Sequence, residues 1–213
     1  PDNTLADLVA LYTDAAQPDL ATAAIDRALA VKTLPESDRA AVLMQAIQTT
    51  LREPISAERN TRLETRIDSI DKLSDAVLDQ KFSAHTSMNG YYRYDDLDAG
   101  IIEHSTWIID AAKKFTPEQR KKYGSSVLGA YVNMAEAWAG EGLNDKAIAL
   151  LHRAEKDLPD VANVASRVQP EIERLELVGT VGAPLTAPRW LNMPAGKTTL
   201  DLKGKVTLLE FSA

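Results

Sequence analysis

Residues 131–159 read YVNMAEAWAGEGLNDKAIALLHRAEKDLP, and their spacing decides the fold. Tyr131 and Trp138 fall seven apart in the first half, Ala147 and Ala154 seven apart in the second, with Leu151 between the alanines. Gly142 divides the two halves and Pro159 stops the second. Small Ala135, Ala147 and Ala154 let two helices approach closely, while the large Tyr131, Trp138 and Leu151 fill the space around them. The pattern predicts two antiparallel helices joined by a tight turn.

The same signals recur outward from this hairpin. Upstream, Thr116-Pro117-Glu118-Gln119 combines a cap, a proline in the first turn and a glutamine three residues after the threonine. Ser56 caps a stripe of Leu63, Ile67, Ile70, Leu73 and Val77, with Arg62, Glu64, Arg66, Asp68 and Asp71 off it. A helix over about Asp95 to Lys114 carries Leu97, Ile101, Ile102, Trp107, Ile108 and Ala111. Pro18 suits the first turn of a helix through Leu29. Thr33-Leu34-Pro35-Glu36 reads as a second capped start, and Pro54 ends the helix it opens. The first helix is expected over about Leu5 to Ala15 and the last over about Val161 to Leu177, where Pro170 should break or kink it. Phe82 to Asp98 is the weakest helical segment, with Met88-Asn89-Gly90 marking a turn. Beside it Tyr91, Tyr92, Arg93 and Tyr94 set three aromatics around a cation. They are a candidate partner contact, since Tyr and Arg are common interface anchors; the alternative is a loop packing its rings onto the helices.

Composition narrows the function. The 213 residues carry a net charge of −7, against the basic footprint of nucleic-acid binding. Lys113, Lys114, Arg120, Lys121 and Lys122 form a local basic excess, read as a solvated helix-end cluster. No apolar run is long enough to predict a membrane span. There is no cysteine, hence no thiolate chemistry in these residues. His85, His104 and His152 have no ligand-spaced companion, so no metal site is expected, and His104 and His152 read as ordinary surface or half-buried residues. Gly140-Glu141-Gly142 lacks the strand that a phosphate loop needs. No nucleophile elbow is present. Asp95-Asp96 reads as a solvated helix start. No catalytic residue, metal ligand or cofactor site is assigned.

Two resemblances extend this reading. Tyr131 to Pro159 resembles one tetratricopeptide repeat along its whole length, and only faint echoes, such as Ala24 to Leu29, occur elsewhere. The last residues, from Val181-Gly182-Ala183-Pro184 through Leu200-Asp201-Leu202-Lys203-Gly204-Lys205 to Val206-Thr207-Leu208-Leu209-Glu210-Phe211-Ser212-Ala213, resemble the opening of a thioredoxin-like domain of the TlpA-like and peroxiredoxin-like group. Leu185 to Trp190 holds one residue more than that pattern, and Ser212 stands where the family often has Trp. The resemblance implies a buried strand at Lys205 to Phe211 and a first redox cysteine about three residues past Ala213, within a Cys-x-x-Cys pair or as a lone peroxidatic residue. It also implies an exported, extracytoplasmic protein. The expected architecture is mainly α: stacked antiparallel helical hairpins over 1–177, an extended linker over 178–196, and the first strands of an incomplete thioredoxin fold over 197–213. The expected role is a partner-binding or scaffolding module of a thiol–disulfide oxidoreductase, holding a protein partner or substrate protein. A non-catalytic adaptor and the helical module of a peroxidase are the alternatives.

Overall fold

The structure is a computed structural model that describes residues 17–94 and 97–181, together with residues 7, 9, 11, 12, 15, 185, 186, 196, 198, 199 and 204. Eight named helices follow one another: α1 (Pro18–Ala30), α2 (Glu36–Leu51), α3 (Ala57–Asp71), α4 (Leu78–Tyr94), α5 (Asp98–Ala112), α6 (Pro117–Gly140), α7 (Asn144–Asp157) and α8 (Val164–Glu176), with a 3-10 turn at Asp75–Val77 between α3 and α4. Residues 7, 9, 11 and 12 are helical as well. The chain divides into two compact units, Pro1–Leu175 and Glu176–Ala213.

Several boundaries follow from local chemistry. Ser56 accepts a hydrogen bond from the Arg59 amide at 3.1 Å, satisfying one of the orphan donors that open α3. Thr116 and Gln119 form a reciprocal capping box at the start of α6, with Pro117 in the first turn. Past the end of α6, Gly142 takes φ of +79°, a left-handed conformation that a side chain would strain. Pro18 opens α1.

Other boundaries differ from expectation. Thr33 is not a cap: α2 begins at Glu36, after Pro35, and no side chain caps it. The apolar stripe begun in α3 leaves the helix after Asp71, and Val77 reaches the core from the 3-10 turn instead. Met88-Asn89-Gly90 is no turn. α4 runs straight through it, because Phe82, His85, Met88, Asn89 and Tyr92 lie on one face and are all buried. That burial outweighs a helical glycine's cost of about 1 kcal/mol. Pro170 likewise does not break α8. It sits on the exposed side, while Val164, Val168, Ile172 and Leu175 are buried on the other. Four such side chains contribute about 1.5–3 kcal/mol each, against about 3 kcal/mol for an interior proline.

Consecutive helices from α1 to α7 pack on one another. In the α6–α7 pair, the Lys146 ammonium lies 3.7 Å from the Trp138 ring centroid beside the turn, and the Tyr131 hydroxyl donates to Asp157 at the far end. The largest core gathers Phe82, Ile108, Phe115, Leu128, Tyr131, Leu151, Val168 and Ile172 from α4 to α8. A second joins Leu43, Ile47, Leu63, Ile67, Ile70, Met88 and Tyr92 from α2, α3 and α4. Close approach of α4 and α5 depends on Gly100, where a Cβ would stand 2.3 Å from a carbon of the Tyr92 ring.

In the carboxy-terminal unit, the Thr180 amide and hydroxyl both donate to the Leu177 carbonyl, and Thr186 bridges Thr199 in antiparallel fashion. The expected strand at Lys205 to Phe211 lies outside the described residues.

Candidate functional site

The region richest in chemistry lies where α3, α4 and α5 meet. His85 and His104 are buried, at 3% and 1% exposure, and their Nδ1 atoms stand 2.9 Å apart. On the outer side of each ring sits a carboxylate. His85 Nε2 lies 3.1 Å from Asp71 Oδ2, and His104 Nε2 lies 3.4 Å from Glu64 Oε1. The Tyr92 hydroxyl also donates to Glu64. The chain Asp71–His85–His104–Glu64 therefore begins and ends on α3 and crosses α4 and α5 between.

Packing fixes both rings. His85 stacks on Trp107 with centroids 3.9 Å apart and planes 6° from parallel. Tyr92 stacks on His104 at 5.4 Å. Asp71 is held from behind by Lys81, a residue 6% exposed whose ammonium donates to the Asp71 carbonyl at 2.9 Å and to the Leu73 carbonyl. A cation on the last carbonyls of α3 complements the negative end of that helix. Beneath the rings, Asn89 donates to the Ile101 carbonyl and to Ser105, and accepts from Asn133 of α6.

These surroundings shift the charged groups in definite directions. Burial pushes the His85 imidazole below its ordinary value, against the hydrogen bond and charge of Asp71, which pull it up. Burial would raise Glu64, but hydrogen bonds from His104 and Tyr92 and the charge of the two rings hold its carboxyl below the ordinary range. Burial, then Glu64, pushes the Tyr92 phenol well above its ordinary value. Tyr92 is thus a fixed donor, and Glu64 is ionised at neutral pH.

Asp71, His85 and Glu64 of this chain line a cleft of about 480 Å³. Carboxylates of Glu64, Asp68, Asp71, Asp75, Glu103 and Asp110 line it, against the ammoniums of Lys81 and Lys114. Ile67, Leu78, Trp107 and Ala111 supply apolar wall. Lys114 reaches Asp75 at 3.5 Å, and Asp110 takes Lys113 at 2.6 Å. Among the described residues, neither Asp68 nor Glu103 has an ion-pair partner.

The four aromatic and basic residues singled out in the sequence differ in exposure. All lie in the last turn of α4. Tyr92 is buried, and Tyr91 is partly buried with its hydroxyl on the Leu51 carbonyl and the Arg59 guanidinium 4.7 Å from its ring. Arg93 pairs with Glu136 at 2.9 Å, and Tyr94 is 86% exposed. The basic residues near the α5–α6 junction are largely engaged: Lys122 pairs with Asp79, and Arg120 donates to the Phe115 carbonyl. The reading of His104 as a surface or half-buried residue is corrected by its burial and its bond to His85; His152 is on the surface. Among the described residues no group of three or more His, Asp or Glu is arranged to hold a metal, and no helix is long and apolar enough to cross a membrane.

The fold and cleft define a mainly helical chain with an acid-lined pocket at a three-helix junction. No protein-family model, curated protein or solved structure matches the chain.

Proposed function

We propose that the helical unit is a protein-binding module whose cleft over Trp107 receives a lysine- or arginine-bearing segment of its partner. The observation that carries this reading is the juxtaposition of Trp107 with Asp68 and Glu103, two carboxylates without an ion-pair partner among the described residues, in a cleft where carboxylates outnumber ammoniums six to two. A cation beside an indole gains from the ring quadrupole as well as from the carboxylates, and partly apolar walls accommodate the methylene stem of the same side chain. The contacts of α6 with α7, at Trp138–Lys146 beside the turn and Tyr131–Asp157 at the far end, support stacked antiparallel hairpins of the tetratricopeptide type as the scaffold. Isothermal titration with a short oligolysine peptide tests the reading: salt-sensitive binding is expected, and its absence at low salt would sink it.

The tail supports the second half of the proposal. On its resemblance to the opening of a thioredoxin-like domain, the module serves a thiol–disulfide oxidoreductase acting outside the cytoplasm, and the bound segment belongs to a partner or substrate protein. The codons past Ala213 test this. A Trp-Cys-x-x-Cys motif within the next dozen supports an oxidoreductase, a lone cysteine after Thr or Pro supports a peroxidase, and a stop codon leaves a non-catalytic adaptor.

A further inference from the structure

The facing imidazoles of His85 and His104 admit a count of hydrogens. Three contacts run between Asp71 and Glu64: Nε2 of His85 to Asp71 at 3.1 Å, Nδ1 to Nδ1 at 2.9 Å, and Nε2 of His104 to Glu64 at 3.4 Å. Ionised carboxylates only accept, so each contact needs one ring hydrogen. Two neutral imidazoles carry two hydrogens between them, an imidazole with an imidazolium carries three, and two imidazoliums carry four. With two, one contact sets lone pair against lone pair or lone pair against carboxylate. With four, N–H meets N–H at the central 2.9 Å. Only the three-hydrogen state fills every contact once.

We infer that His85 and His104 form a one-proton latch: the folded chain takes up a single proton at the pair, refuses a second, and in that singly charged state joins α3, α4 and α5 through an unbroken hydrogen-bonded chain. The charges around the pair favour the first proton, and the central Nδ1–Nδ1 contact sets the limit. From α3, Glu64 and Asp71 face it, with Asp68 in the same cleft and Arg59 beside the Tyr91 ring. From α4 come Lys81 and Tyr92, from α5 Glu103 and Asp110, and Asp75 and Lys114 line the same cleft from the flanking turns. One added proton offsets half the charge of the two bonded carboxylates, whereas a second would sit against the first in a buried site. The low basicity of His85 fits its being the ring that accepts at Nδ1. The latch does not depend on what occupies the cleft.

The consequence for stability has a definite sign. In the unfolded chain the two imidazoles titrate independently near pH 6.5 and together take up two protons. The folded pair takes up one. As pH falls below about 6 the unfolded state holds one proton more, and the folding constant drops about tenfold per pH unit on account of the pair.

Long-range proton–nitrogen NMR on the His152→Gln chain, which leaves only the two buried rings, counts their protons directly between about pH 8 and pH 5. One proton taken up by the pair, with no second before the fold is lost, is the expected result. Two imidazoliums in the intact fold would overturn the inference, and so would two neutral rings persisting until unfolding. A second readout uses His85→Gln, which leaves one histidine in the latch: its stability should lose the tenfold-per-unit dependence between about pH 6 and pH 5. An unchanged dependence would likewise overturn it.

Discussion

Two glycines ten residues apart separate the helical reading of residues 82–94 from the turn that their composition suggests. Gly90 lies in the interior of α4, exposed, and among the described residues nothing beyond its own stretch of helix backbone stands within 4 Å of the position its Cβ would take. Alanine there should add helix propensity without a clash and stabilise the fold by about 0.5–1 kcal/mol. Gly100 lies in the first turn of α5, where a Cβ would fall 2.3, 2.5 and 2.9 Å from three carbons of the Tyr92 ring. That ring is 4% exposed, stacks on His104 and holds Glu64 through its hydroxyl, so it cannot step aside without opening the site. Gly100→Ala should therefore cost about 1–3 kcal/mol from overpacking. Urea denaturation followed by far-UV circular dichroism measures both, the midpoints shifting in opposite directions with the slope unchanged. Loss of more than about 1 kcal/mol in Gly90→Ala, as expected of a turn that needs a left-handed residue, would refute the continuous helix.

Three further substitutions probe the frame around the site. Pro170→Ala should stabilise α8 by up to about 3 kcal/mol, since the proline interrupts the backbone ladder on an exposed face; a neutral or destabilising midpoint shift would show that the helix has adapted to it. Leu151→Ala empties a fully buried position between α6 and α7 and should lower stability by about 2–5 kcal/mol in the same assay. Lys81→Met removes charge-assisted bonds to the Asp71 and Leu73 carbonyls and should cost about 1.5–3 kcal/mol, with the His85 ring resonances moving as Asp71 loses its support; unmoved resonances would argue that Lys81 does not position the carboxylate.

The parts of this molecule that were legible from sequence are those written in local chemistry. Ser56 and Thr116 cap the helices they were expected to cap, and Gly142 follows the end of α6, because a cap needs only residues within a few positions of each other. Gly90 and Pro170 misled, since their local costs are outweighed by faces that bury four or five side chains each. The site was illegible for a different reason. His85 and His104 are 19 residues apart on separate helices, and only the register of α4 on α5 brings their rings together. A signal was nevertheless present. His85 falls three residues after Phe82 and three before Met88, and His104 three after Ile101 and four before Ile108, so both sit on buried stripes. A histidine in such a position needs a polar partner once buried, and the acids off the α3 stripe supply it. Tyr91 to Arg93 show the converse: a cluster in sequence that the helix distributes among core, rim and solvent.

The cleft is tested most directly by comparing two variants of equal charge. Asp68→Asn with Glu103→Gln removes the two cleft carboxylates that lack an ion-pair partner among the described residues, while Glu141→Gln with Asp145→Asn removes two acids outside the cleft lining. Isothermal titration with a short oligolysine peptide at low salt should give an affinity for the first variant about 5- to 30-fold below that of the unaltered chain, at up to about 1 kcal/mol per rim charge. The second variant should bind as the unaltered chain does. Equal losses in both would reduce the cleft to a share of the general negative charge, and no binding at all would contradict a module built to hold a cationic segment.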